Sequence, residues 1–184
     1  AQWRARGKRI IESELVRQIE PTGAHSQRST NYARLVLQAA TWALRLGELN
    51  DDRFSPKTYE RVAALTDWLL TLTDPTSGQT PNYGANDGAL IMPLDSCEYT
   101  DFRPALQAGY WLTHGTRLFP AGAWDEPVMW LFGELPSPPA PLHFVERGSE
   151  GICVLRGVHS HALLYCARYR ERPGHADQLH VDLW

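Results

Sequence analysis

The sequence predicts an α+β fold in which helices come first and antiparallel strands follow. Three observations carry this. Apolar residues recur at helical spacing through the first two-thirds of the chain, the period falls to two in the last third, and a proline-rich joint separates the regimes. Helices followed by strands without alternation argue against a doubly wound sheet.

Taken in order, Ile10, Ile11, Leu15 and Ile19 mark a first helix with charges between them, and Pro21-Thr22-Gly23 stops it. A second helix starts after Ser29 or Thr30, both good N-caps. Its stripe is Tyr32, Leu35, Val36, Ala39, Trp42, Ala43 and Leu46, and Gly47 is expected to end it. Ser55-Pro56 opens a third helix with stripe Tyr59, Val62, Ala63, Leu65, Leu69 and Leu72. Residues 75–88 form a loop of Pro, Gly, Asn and Asp, long enough to suggest function. Shorter helices follow near residues 104–113 and 125–132, and two antiparallel αα-hairpins are a natural assembly. Residues 135–141 carry four prolines in seven positions and read as a linker. Beyond it, residues 151–156 and 161–169 read as adjacent strands around a turn at Gly157, and 178–184 begin a third. In that third strand Asp177, Leu179, Val181 and Leu183 share one face; Gln178, His180, Asp182 and Trp184 share the other.

Length and composition bound the function. A chain of 184 residues suits one domain or two small ones. Hydrophobic residues at 43% and charged residues at 21% describe a globular chain and exclude disorder. The net charge of −3 provides no basic field for nucleic acid or anionic lipid. No apolar run reaches membrane-spanning length. The seven Trp and seven Tyr suit a wide binding surface, sugars included, as well as a core. Cys97, Cys153 and Cys166 form no Cys-x-x-Cys pair, so a structural zinc knuckle is excluded. Cys153 and Cys166 can face each other across a hairpin, which leaves a disulfide open. The chain opens on Ala1-Gln2-Trp3 with no signal peptide, so the numbering is expected to begin inside a longer gene product.

Three segments hold chemistry. His25 to Tyr32 lies where a turn meets a helix N-terminus, whose N–H groups and dipole suit an anion. Arg28 adds a fork for a carboxylate, and His25 adds an imidazole that titrates near neutrality. Read alone, the same residues also describe a capped helix with solvated His25 and Arg28. Residues 80–88 frame Tyr83 with turn formers, so a phenol is presented on a loop, or packs on the helices. Residues 172–182 hold His175 beside Pro173-Gly174, with Asp177, His180 and Asp182 nearby. His175 with Asp177, or His180 with Asp182, are the better metal-ligand pairs, each needing further ligands; structural hydrogen bonding explains these histidines equally well. Asp95, Glu98 and Asp101 are the one acidic loop cluster and supply a glycosidase-type acid and base as an alternative. His114, His143, His159 and His161 read as surface or sheet residues.

Together these segments resemble the heparinase II/III-like polysaccharide lyases along nearly the whole chain. The resemblance rests on Gln18-Ile-Glu-Pro-Thr-Gly23, Ser29-Thr-Asn-Tyr-Ala-Arg34, Tyr83-Gly-Ala-Asn-Asp-Gly88 and the stretch from Arg172 to Trp184. It implies helical hairpins of an incomplete α/α toroid over residues 1–134, the linker 135–141, and the first antiparallel strands of a β-sandwich over 142–184. The 184 residues would then be parts of two domains, completed by further segments of the same gene product or by a homo-oligomer. The implied setting is periplasmic or secreted.

The implied reaction is β-elimination at a uronic acid in an acidic polysaccharide such as a glycosaminoglycan or alginate-like uronan. The carboxylate must be neutralised, a base must remove the C5 proton, and an acid must protonate the leaving oxygen at C4. By resemblance, His25 binds the carboxylate with Arg28 as helper, Tyr83 is the loop acid and often the base, and His175 opens the β-region strand as a third catalytic group. Gln27, Asn82 and Asn86 join Arg28 as substrate contacts; Gln27 stands where many relatives carry Glu. Relatives often show His-x-His where this chain has Pro173-Gly174-His175, so His175 fills either the catalytic or the metal-ligating role. The chemistry requires no cofactor, and a structural zinc held by His175 or Asp177 is the implied metal. The contrasting expectation is a non-catalytic carbohydrate-binding or truncated remnant.

Overall fold

The computed structural model describes residues 2–133, 151–157, 160–166 and 178–183. The linker 135–141, His143, His159, His175, Asp177 and Trp184 lie outside the described residues.

Helix α1 spans Gln2–Gln18. The chain then reverses tightly: Glu20 N donates to Ala24 O at 2.9 Å, Gly23 N donates to Glu20 O at 2.9 Å, and Ile19 bridges His25 in antiparallel fashion. Gly23 has φ +91°, and a Cβ there would stand 1.9 Å from the Ala64 carbonyl oxygen. Only glycine allows this reversal to lie flush on the third helix.

Helix α2 spans Thr30–Leu49. The Ser29 hydroxyl accepts from Tyr32 N at 3.1 Å and fixes its start. Gly47 does not end it. The helix continues to Leu49, because Gly47 sits where its bare backbone meets Phe54, whose ring lies 2.9 Å from where a Cβ would be. The glycine is there for close packing, not termination. Helix α3, Pro56–Leu72, begins as expected after Ser55 with Pro in the first turn. Ser55 Oγ pairs with Thr58 Oγ1 at 2.9 Å, while Ser55 N donates to Glu12 of α1 at 2.7 Å. Helix α4, Arg103–His114, stops at Gly115 in the left-handed conformation, and a 3-10 turn, Ala123–Asp125, leads into α5, Glu126–Phe132.

α1 packs on α3 and α2 on α4, α3 also touches α2 and α4, and α5 packs on α4. Leu15, Leu37, Leu44, Leu65, Leu69 and Leu106 fill the core between them. Among the described residues no helix is long and apolar enough to cross a membrane.

Strands β1 (Ile152–Arg156), β2 (His161–Tyr165) and β3 (His180–Leu183) form an antiparallel sheet in that order. The fold class is therefore α+β. Ile152, Leu163 and Tyr165 point inward and join the helical core. Arg156 Nη2 donates to the Thr71 and Thr73 carbonyls, at 2.7 and 3.0 Å, where α3 ends. The third strand begins at His180 and not at residue 178, because Leu179 lies in a turn with φ 59°; within the strand the expected alternation holds, but the face of Val181 and Leu183 is turned to solvent. Cys153 and Cys166 are both free and exposed. The register pairs Cys153 with Leu164, and Cys166 N donates to Gly151 O, so the two cysteines lie on a diagonal and not opposite each other.

The loop between α4 and α5 is held by two buried side chains, Gln107 and Asp125, the latter accepting from Gly122 N and Arg117. Gln107 Oε1 accepts from Leu118 N and Phe119 N at 3.1 and 3.0 Å, and its Nε2 donates to Asp125 at 2.8 Å. Gln107→Leu strands these buried groups. Urea unfolding of this variant is expected to show a loss of about 2–4 kcal/mol, whereas an unchanged midpoint would mean that the loop is held elsewhere.

Candidate functional site

Two segments far apart in sequence are laced together at the N-terminus of α2. Thr30 N donates to Tyr83 O at 3.4 Å, Thr30 Oγ1 donates to Pro81 O at 2.8 Å, and Ser29 Oγ donates to Ala85 O at 2.6 Å. Gly84 makes the approach possible. It has φ +75°, and a Cβ there would fall 2.2 Å from the Arg28 carbonyl oxygen. The structure thus brings the His25–Thr30 segment and the Tyr83 loop side by side.

His25 is 1% exposed, and neither ring nitrogen has a hydrogen-bond partner among the described residues. Burial, with the neighbouring Arg28 charge as the smaller cause, pushes its pKa down to about 4. The imidazole is therefore neutral at physiological pH, with one nitrogen able to donate and the other to accept. The solvated-histidine reading does not hold.

Arg28 is also buried, in a left-handed backbone conformation with φ 51°. Its Nη2 donates to Glu20 Oε1 at 2.8 Å in a buried ion pair. The fork expected for a substrate carboxylate thus already engages a carboxylate of the protein. Removing either partner would leave a buried charge uncompensated. Glu20 stands in the Gln18–Gly23 motif but carries no role that the sequence shows, because only the 20–25 reversal turns it back toward Arg28.

Tyr83 is not presented to solvent. It is 1% exposed, and its ring stacks on Tyr165 of β2 with centroids 4.8 Å apart. The reading in which this tyrosine packs inside is the correct one for its ring. Tyr165 is the group through which the sheet covers the Tyr83 loop, and it did not stand out in the sequence because no local pattern links it to the helices.

The exposed rim is polar. Asn86 Nδ2 donates to Asn82 Oδ1 at 2.7 Å, and Tyr32 OH donates to Asp87 at 2.7 Å. The Tyr99 hydroxyl lies 2.7 Å from both the Asn31 and Asn86 carboxamide oxygens and can donate to one at a time. Behind it, buried Arg34 is held between the Tyr99 and Phe102 rings, at 4.3 and 4.2 Å, and donates to Asn31 Oδ1 and the Tyr99 carbonyl. Asn82 and Asn86 are thus on one surface, whereas Gln27 is half-buried.

The acidic loop is less suited to paired acid and base work. Asp101 is clamped by Arg103 at 2.7 Å, and Asp95 accepts from Cys97 N at 3.0 Å. Burial raises the Asp95 carboxyl above its ordinary range, with Glu126 and Asp101 adding to it, while Glu98 is exposed. Among the described residues no group of three or more His, Cys, Asp and Glu side chains is placed to hold a metal ion. His175 and Asp177, the zinc expectation, fall outside those residues.

A depressed histidine pKa has a signed consequence. Between about pH 6.5 and 4 the unfolded chain binds a proton at His25 that the folded chain does not. Stability contributed by this site is therefore full above pH 6.5 and falls as pH drops toward 4, by at most about 3 kcal/mol. In denaturant titrations across this range, His25→Gln is expected to flatten the slope, and an unchanged slope would contradict a buried neutral imidazole.

Comparison of the chain with protein-family models, with curated proteins and with solved structures returns no match.

Proposed function

We propose that the chain carries part of the active site of a polysaccharide lyase that cleaves a uronate-containing acidic polysaccharide by β-elimination. The observation that carries this reading is His25: a buried, neutral imidazole whose two ring nitrogens have no partner among the described residues, on the segment to which the Tyr83 loop is bonded. Buried polar atoms left without partners are rare and call for an explanation such as a ligand or ordered water. A carboxylate is a fitting partner for one of the two nitrogens, since its oxygen accepts from the N–H of a neutral imidazole.

In this reading the uronate carboxyl sits against His25, and the Arg28–Glu20 pair sets the field beside it. Hydrogen bonding to the carboxyl stabilises the charge that develops when the C5 proton leaves. Tyr83 exchanges the proton, taking it from C5 and returning it to the leaving oxygen at C4. Asn82, Asn86 and Tyr99 on the rim offer carboxamide and hydroxyl groups to sugar hydroxyls. His175 remains the third catalytic group or a zinc ligand with Asp177, and no step is assigned through a metal. The setting that goes with this reading is periplasmic or secreted.

Tyr165 lies on Tyr83, so a substrate reaches the phenol only if the β2 ring moves aside. That burial also favours a second reading, in which the chain binds carbohydrate on its rim without turnover.

The two readings separate in one assay. Alginate, hyaluronan, chondroitin and heparan sulfate are mixed with the protein, and ultraviolet absorbance of the new C4–C5 double bond is followed. One substrate is expected to give unsaturated ends, and Tyr83→Phe, which keeps the ring stack, is expected to lower kcat by about 10²–10⁴-fold with binding retained. Binding without unsaturated product from the unaltered chain supports the carbohydrate-binding reading, and saturated reducing ends would point to hydrolysis.

A further inference from the structure

The outward face of the sheet is the less polar of its two faces. Cys153 and Leu155 of β1, Ala162 and Leu164 of β2, and Val181 and Leu183 of β3 point outward, and no charge, amide or hydroxyl stands among them. They are also neighbours across the strands: Leu155 pairs with Ala162, Cys153 with Leu164, Leu164 with Val181, and Ala162 with Leu183. The inward face instead carries Arg156, His161, His180 and Asp182 among its apolar residues. An antiparallel sheet with one solvated face shows the reverse, apolar inside and polar outside. Leu155, Leu164, Val181 and Leu183 are 63, 44, 56 and 73% exposed.

We propose that this face is a self-association surface, on which a second copy of the chain stacks its own outward face about a two-fold axis. Three observations favour a second copy. The first is area. The patch amounts to roughly 500 Å², within the upper range of what a monomer leaves uncovered. Counted on both copies it reaches about 1,000 Å², the size at which a specific but weak, reversible interface begins. The second is charge. The patch is uncharged and the chain carries only −3, so two copies meet with little repulsion. The third is self-complementarity. A two-fold contact sets the same patch against itself, and a face without donors or acceptors needs no matching polar group on its partner. Two twisted sheets stack in this way about 10 Å apart, with strand directions within about 30°. The pairing is independent of the lyase reading.

Sedimentation velocity on the unaltered chain, from about 1 to 100 µM, tests the proposal. A reversible monomer–dimer equilibrium is expected, and Leu164→Arg should raise its midpoint about tenfold or more, with helical circular dichroism unchanged. Should that variant fail to fold, Cys153 reports on the unaltered chain. Its labelling by a maleimide should slow as concentration rises, while Cys97, on the loop between α3 and α4, labels at a constant rate. A monomer throughout, a dimer that Leu164→Arg leaves intact, or Cys153 labelling that ignores concentration each overturns the proposal. Constant protection of Cys153 would instead mean that the chain covers its own sheet.

Discussion

The hydrogen bonds that tie Ser29 and Thr30 to the loop of residues 81–85 are the constraint on which the rest of the site depends. Ser29 acts in two directions at once, receiving the Tyr32 amide as the cap of α2 and donating to the Ala85 carbonyl. The beginning of a helix and the position of a distant loop are therefore set by one hydroxyl. Once that loop is fixed, Tyr83 is fixed, and the Tyr83 ring is the surface on which Tyr165 rests.

Electrostatics refine this arrangement. Buried side chains of Glu20 and Arg28 satisfy each other's charge, and the reversal at residues 20–25 brings them together from positions eight apart. Such a pair contributes little net stability against an apolar replacement, yet it holds a cation beside His25 and so favours the neutral imidazole. The left-handed φ of Arg28 fits the same picture: a non-glycine residue in that region persists where its surroundings over-determine it.

Much of the fold was legible because its signals are local. The start of α2 at Ser29, the Ser55-Pro56 opening of α3, the two short helices and the period-two strands all rest on chemistry within a few residues. Gly47 misled for the same reason: its termination signal is local, but its purpose is a contact with Phe54, which only the fold creates. The site was legible in its segments and illegible in its environment. His25, Arg28 and Tyr83 drew notice by type and position, yet nothing near them in sequence says that Glu20 folds back or that a strand tyrosine closes over the loop. Tyr99 and Arg34 were missed because their meaning lies in a pairing across long separation. The alternation of Val181 and Leu183 with His180 and Asp182 told which residues share a face and could not tell which way that face points, nor that Leu179 falls in the turn before the strand.

The contact of Arg156 with the end of α3 has a consequence for cooperativity. The last carbonyls of a helix have no partners within it, and here two carbonyls at that end, of Thr71 and Thr73, are met by a guanidinium from a strand. The terminal turn of the helix and the first strand of the sheet thus complete each other. Fraying of α3 and detachment of the sheet become one event with one opening free energy, and the boundary between cooperative units does not fall where helices give way to strands.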